Sequence, residues 1–381
     1  MWLVSLLFVS VLLLCALVFL GLSFRHDLSS RALLFKILRR FGLEAKFLRT
    51  ARFATPYQRL KNTSEPVHHP ILLNLETSDG SGQATHPDVL YIPEGFGEGK
   101  WPYWMACTPY PYRDPRFENP EIFVSRDGVH WNVPDGLNNP LVPSLSKPPL
   151  DHHSDPDMVF HHGCLWLFYR QTVRSKTPHE NKLFLIKSRD GVRWSQPVEA
   201  LSDDTGRELL SPAVIHDGHQ FLSWTVEIAD AQFVIVRRSS LDGVTWSSAE
   251  KCKVTGLEAP RHPWHIDVTP ESGRLSAVLV SCIGRGGGKS RIHYAFSDDQ
   301  GLSWSTQGFL LDQCYEFEAD VQYRGSLLPS QERAGEYDLW YSASCSRHFF
   351  SIAYVRLCRS HDRLLPLRGN AEQAVAAGKH S

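Results

Sequence analysis

One phrase recurs four times down the chain: Ser125-Arg-Asp127-Gly128-Val-His-Trp131, Ser188-Arg-Asp190-Gly191-Val-Arg-Trp194, Ser240-Leu-Asp242-Gly243-Val-Thr-Trp246 and, one residue longer, Ser297-Asp-Asp299-Gln-Gly301-Leu-Ser-Trp304. The tryptophans stand 63, 52 and 58 residues apart, a period suited to one four-stranded propeller blade per repeat. Asp-Gly sets a tight turn, because glycine accepts φ > 0 and the Asp side chain bonds nearby backbone N–H groups. The phrase is therefore structural, and Asp127 and Asp190 are not candidates for catalysis.

A second pattern precedes each phrase, an apolar strand opening on a polar pair two residues apart: His86-Pro-Asp88, Asp155-Pro-Asp157, Ser211-Pro-Ala213, His265-Ile-Asp267 and, as a fifth copy, Glu318-Ala-Asp320. Five copies at about 55 residues each predict an all-β, five-bladed β-propeller over 67–360. A content of 11 Trp and 12 Tyr against 3 Met suits strands better than helix bundles. The fifth copy lacks the turn phrase, so Val67 to Glu76 is expected to supply an outer strand and close the ring. The polar segment 361–381 is expected to be a flexible tail.

Ahead of the propeller, residues 2–24 carry no charge, long enough to cross a hydrocarbon core of roughly 30 Å. With no basic stretch before the run and no small-residue cleavage site, 1–24 reads as a transmembrane anchor rather than a cleaved signal. Residues 25–66 form a basic juxtamembrane segment, in which Ala32 to Leu48 reads as an amphipathic helix. Its basic flank and the seven cysteines beyond Cys15, an odd number, favour a cytoplasmic propeller. Glycan chemistry favours the opposite side.

A net charge of −1 gives no footprint for nucleic acid. Gly286-Gly287-Gly288-Lys289 lacks the spacing of a phosphate loop. The first strand of a propeller blade lines the axis, so His86 with Asp88, Asp155 with Asp157, His265 with Asp267 and Glu318 with Asp320 are expected around one funnel. Connectivity adds mouth loops carrying Tyr110, Arg113, Glu118, Arg170, Glu227, Arg285 and Arg347. Paired carboxylates at an aromatic-lined mouth suit glycoside cleavage, where one acid protonates the leaving oxygen and another carboxylate activates water or attacks the sugar.

The repeated turn resembles the Asp box of sialidases, and the span from Thr85 to Cys358 resembles the five-bladed propeller glycoside hydrolases of the family 43 type and relatives. That resemblance implies an Asp base on the first blade, a tuning Asp on the second and a Glu acid on the third. Asp157 matches the tuning Asp, while His86 stands at the base position with Asp88 two residues on, and Leu210 stands where the Glu is expected. Asp88 or Asp155 as base or nucleophile, Asp157 as tuner, and Glu208 or Glu227 as acid are the resulting catalytic candidates. His86, Tyr110, Arg113, Arg170, His265, Asp267, Arg285, Glu318, Asp320 and Arg347 are the candidates for substrate binding. The expected function is a membrane-anchored glycosidase acting on a glycan, without cofactor. A non-catalytic glycan-binding propeller is the alternative, and a metal-centred site on His86, His265 and nearby Asp residues is a third reading.

Overall fold

The computed structural model describes residues 28–40, 60, 69–143, 145, 151–203, 207–229, 232–284, 286–345, 349–360 and 363–367. One helix, α1 (Leu28–Arg40), lies in the basic segment. Among the described residues no helix is long and apolar enough to cross a membrane, and the uncharged run 2–24 lies outside them.

Strand β1 (Ile71–Leu72) precedes five sheets. They are β2 (Ala84–Phe96) to β5 (Trp131–Asn132), through β3 (Trp101–Pro109) and β4 (Glu121–Ser125); β6 (Asp151–His161) to β9 (Val198–Asp203), through β7 (Cys164–Val173) and β8 (Glu180–Ser188); and β10 (Glu208–His216) to β13 (Glu250–Lys251), through β11 (Phe221–Ala229) and β12 (Gln232–Ser240). The fourth holds β15 (His262–Glu271) to β18 (Ser303–Phe309), with β16 (Arg274–Cys282) and β17 (Arg291–Ser297), and β14 (Lys253–Thr255) runs parallel to β18. The fifth holds β19 (Val321–Pro329), β20 (Glu336–Cys345) and β21 (Phe349–Ser360). Inner strands β2, β6, β10, β15 and β19 pack in turn against one another, and β19 returns to β2. This is a closed five-bladed propeller.

Closure takes both ends of the propeller. Strand β1 pairs with β21 through Ile71↔Tyr354 and Leu72↔Ala353, and β22 (Arg363–Pro366) pairs with it through Leu357↔Pro366 to Ser360↔Arg363. The fifth blade's outer strand is thus two short pieces, which cover an edge that would otherwise expose unpaired backbone. Arg363–Pro366, expected in a flexible tail, is part of the sheet.

The repeated phrase joins blades. Ser125 Oγ accepts from Gly128 N at 2.9 Å, and Asp127 Oδ1 accepts from Val129 N at 2.9 Å and His130 N at 2.8 Å; Ser188 and Asp190 repeat the set. Each turn glycine has positive φ and faces a second-strand tryptophan of the preceding blade: Gly128 on Trp340, Gly191 on Trp104, Gly243 on Trp166 and Gly301 on Trp224. A Cβ on Gly191 would stand 2.1 Å from the Trp104 ring. The position therefore requires glycine for space as well as for φ.

Candidate functional site

Every inner strand carries a register break near its start: Thr85/Asp88, Ser154/Asp157, Leu210/Ala213, Pro263/His265 and Gln322/Gly325. Three of these bulges hold a non-glycine residue in the left-handed region just before a proline, His86 (φ 56°), Asp155 (φ 50°) and Ser211 (φ 52°). Proline lacks the N–H that a regular ladder needs, so the X-Pro step marks the bulge and the bulge re-aims its side chains. The polar pairs then reach the centre as two layers: His86, Asp155 and His265 converge in one, Asp88, Asp157 and Asp267 in the other.

In the first layer Asp155, fully buried, accepts Arg170 Nε at 2.7 Å through Oδ2. Its Oδ1 lies 3.0 Å from His86 Nε2 and 3.9 Å from His265 Nδ1. Burial works against the Asp155 charge, yet Arg170 and then His86 hold the carboxyl well below the usual range. Thr108 Oγ1 fixes His86 Nδ1 at 2.9 Å. His265 is buried, and among the described residues neither ring nitrogen has a hydrogen-bond partner. Burial pushes its pKa well down, leaving a neutral imidazole with a free lone pair. Two neutral imidazoles and one ionised carboxylate, their ligand atoms within 4.8 Å of one another, fit a divalent transition ion with an open coordination position.

At the rim of this layer, Glu118 lies buried with Oε2 3.5 Å from His152 Nε2. Burial, and then the Asp155 charge, push Glu118 up to about 8. One ionised and one proton-holding carboxyl within electrostatic reach of each other is the arrangement acid–base chemistry uses at neutral pH. Tyr323 packs edge-on to His265 at 4.6 Å between ring centroids and 5.5 Å from His86. Tyr110 packs at a tilt on Phe350, with 5.1 Å between ring centroids.

The second layer ties blades together. Asp88 Oδ2 accepts Met158 N at 2.6 Å and Asp157 Oδ2 accepts Val214 N at 2.7 Å, each from the next blade. Arg324 Nη2 stands 2.8 Å from Asp157 Oδ1 and 3.9 Å from Asp267 Oδ1, so a guanidinium already supplies the cation among these acids. Burial drives Asp88, Asp157 and Asp267 above the usual carboxylate range, so the three share protons.

Other candidates stand elsewhere. Glu208 faces Arg170 Nη1 at 3.4 Å, Arg174 Nη2 at 3.2 Å and His179 Nε2 at 3.5 Å; Glu227 faces Arg238 Nη2 at 2.6 Å and Arg207 Nη1 at 3.0 Å. Glu318 accepts Cys314 N, Gln322 Nε2 and the Tyr341 hydroxyl, and Asp320 N donates to Ser344 O. The fifth blade's bulge carries Tyr323 and Arg324 in place of the pair read at Glu318 and Asp320. Arg285 and Arg347 lie outside the described residues. The sequence put Glu118 on a mouth loop with no role, and gave none to His152, Tyr323 or Arg324.

No family model matches the chain. A curated relative, an A type blood N-acetyl-alpha-D-galactosamine deacetylase of Flavonifractor plautii, is 28% identical over 280 residues, or 61% of this chain, and the match spans 35% of that protein's length. Among solved structures, an N-acetylgalactosamine deacetylase from F. plautii in complex with blood group B trisaccharide superposes with a TM-score of 0.69 at 23% identity, covering 77% of this chain and 95% of the other. A thermostable family-43 glycoside hydrolase gives 0.57 at 12% identity, over 76% and 95% of the chains. The chain accordingly has the five-bladed propeller fold of the family 43 type, which that deacetylase structure shares.

Proposed function

We propose that the chain is a glycan-acting hydrolase that removes the acetyl group from an N-acetylated amino sugar. The observation that carries this reading is Asp155 Oδ1 facing His265, whose two nitrogens make no hydrogen bond among the described residues, in a buried set of two imidazoles and a carboxylate. The 28% identity to a deacetylase supports it. His86, Asp155 and His265 would hold a divalent cation, which would supply Lewis acidity toward the amide carbonyl and the attacking water. Glu118, which holds a proton at neutral pH, gives it to the departing nitrogen and regains one from the attacking water. Arg170 keeps Asp155 charged, and Tyr110 with Phe350 offers an apolar wall for the sugar. We further assign residues 2–24 as the membrane anchor, on their length without charge.

One observation favours a second reading, glycosidic cleavage: Glu118 holds a proton beside ionised Asp155, as an acid and a nucleophile or base would. Glu208 and Glu227, each engaged by Arg side chains, are less suited to the acid role. The test incubates the full chain with N-acetylgalactosamine-terminated and N-acetylglucosamine-terminated oligosaccharides and measures free acetate and new reducing ends. Acetate release that a chelator abolishes and a divalent cation restores supports the first reading. Reducing ends without acetate support the second, and binding without either product supports a glycan-binding propeller.

A further inference from the structure

The fifth blade places a phenol where the other blades place imidazoles, a carboxylate and a hydroxyl. Tyr323 is the bulge residue of β19, in the position that His86, Asp155 and Ser211 hold in the first three blades. Its ring lies 4.6 Å from that of His265 and 5.5 Å from that of His86. Trp264 Nε1 donates to its oxygen at 2.9 Å. That bond uses an acceptor lone pair and leaves the phenol's own hydrogen, for which no acceptor stands among the described residues.

The phenol is also held from behind. A Cβ on Gly287 (φ 70°) would stand 2.9 Å from Trp264 Nε1 and 3.1 Å from Tyr323 Cε2, so the glycine run passes close behind both rings and leaves no room for a side chain. A polar group oriented by one partner and locked by packing, with its proton unspent at the edge of the reactive centre, is a pre-organised donor.

We propose that Tyr323 donates its hydroxyl hydrogen to the carbonyl oxygen of the substrate as negative charge develops there, an inference that rests on the amide-hydrolysis reading. The step balances with water as co-reactant. Water's oxygen bonds to the acetyl carbon, the carbonyl π pair moves to oxygen, and the tyrosyl O–H stabilises that oxyanion. The pair then returns, the C–N bond breaks, and the amine leaves with the proton carried by Glu118 while acetate is released. Tyr323 keeps its proton throughout.

The test is Tyr323→Phe in the full chain, assayed for acetate release from an N-acetylhexosamine-terminated oligosaccharide. Expected is a fall in kcat of about 10²–10³-fold, the range for one lost oxyanion donor, with KM within about twofold and an unchanged melting temperature. Trp264→Phe keeps the phenol but loses its orienting bond and part of the buried ring behind it, so a smaller fall is expected, about tenfold, read per folded molecule. A methylphosphonamidate analogue of the acetamide, which mimics the tetrahedral centre, should bind Tyr323→Phe about 10²-fold more weakly than wild type while the acetamide itself binds equally. Unchanged kcat and analogue affinity in a folded Tyr323→Phe overturn the proposal alone, as does a rise confined to KM. A wild-type chain that releases no acetate overturns the proposal together with the reading beneath it.

Discussion

Arg170 Nε and Asp155 Oδ2, on paired strands of the second blade, form a buried ion pair at 2.7 Å. Removing one partner of such a pair leaves an uncompensated charge, which costs about 3–5 kcal/mol. Arg170→Met should therefore lower stability by that order in urea denaturation. It should also raise the pKa of Asp155, so that activity fails at a higher pH on the acid side of the profile. An unshifted acid limb in a folded Arg170→Met chain would show that Asp155 needs no help to stay charged.

The blade junctions offer a paired test of why the turn phrase repeats. Gly191 and Gly163 both have positive φ, 78° and 67°, but only Gly191 faces a ring, while nothing lies within 4 Å of a Cβ at Gly163. Gly163→Ala should cost about 1–2 kcal/mol of backbone strain. Gly191→Ala adds the clash with Trp104, about 1–3 kcal/mol more. Equal losses of melting temperature would sink the packing account and leave only the turn.

Much of the architecture was legible because its signals are local. Ser-Arg-Asp-Gly fixes a turn within seven residues, and His86-Pro and Asp155-Pro announce a bulge in a strand. The Glu318 and Asp320 pair was misleading for the opposite reason: the fifth blade's bulge at Tyr323 has no proline to mark it, and its position follows from the pairing of Val321 with Ser344 far along the chain. Glu118 and His152 meet only when the third-strand loop of one blade folds beside the next blade's inner strand. The glycine run at 286–288 found its reason only in three dimensions, in the rings of Trp264 and Tyr323. Pairing of Arg363–Pro366 with β21 was hidden because a four-residue strand carries no periodicity.

The divided outer strand of the fifth blade predicts that either end can be loosened with similar effect. Ending the chain at Ser360 bares Leu357 to Ser360, and starting it after Glu76 bares Ala353 and Tyr354. Each truncation should lower solubility and increase aggregation measured by light scattering, and both together should exceed either alone. A chain ending at Ser360 that stays monomeric and melts as wild type would show that β22 is dispensable.

Glu121 carries a pH dependence separate from the site. Its fully buried carboxylate accepts from Ser78 N at 3.2 Å, and burial pushes its pKa from 4.5 up to about 8 against the opposing bonds from Ser78. An acid raised on folding stabilises the fold when protonated, so its contribution is complete below about pH 4.5 and is lost as pH rises through about 8. Glu121→Gln should flatten that decline in melting temperature between pH 5 and 9. A slope unchanged by the substitution would assign the titration to another group.

The two layers predict that Asp155 and Asp157, one pleat apart, fail in different ways. Asp157 binds Val214 N and Arg324 Nη2, so Asp157→Asn removes a hydrogen bond to a charged group and should cost about 1–3 kcal/mol of stability. Asp267, 3.9 Å from the same guanidinium, can take over the charge, which keeps the loss from growing larger. Turnover per folded molecule should change little, because no atom of the second layer belongs to the His86, Asp155 and His265 set. Asp155→Asn should lose both: it leaves buried Arg170 without its counter-charge, so stability falls as well, and it takes the only carboxylate from that set, so acetate release and divalent-cation binding should both fall by at least about 10²-fold. The measurements are urea denaturation, calorimetric titration with Zn²⁺ and Mn²⁺, and acetate release for each variant. If Asp157→Asn abolishes turnover in a folded protein while Asp155→Asn retains it, the chemistry belongs to the second layer and Arg324 must be reassigned from internal counter-ion to part of the reactive centre.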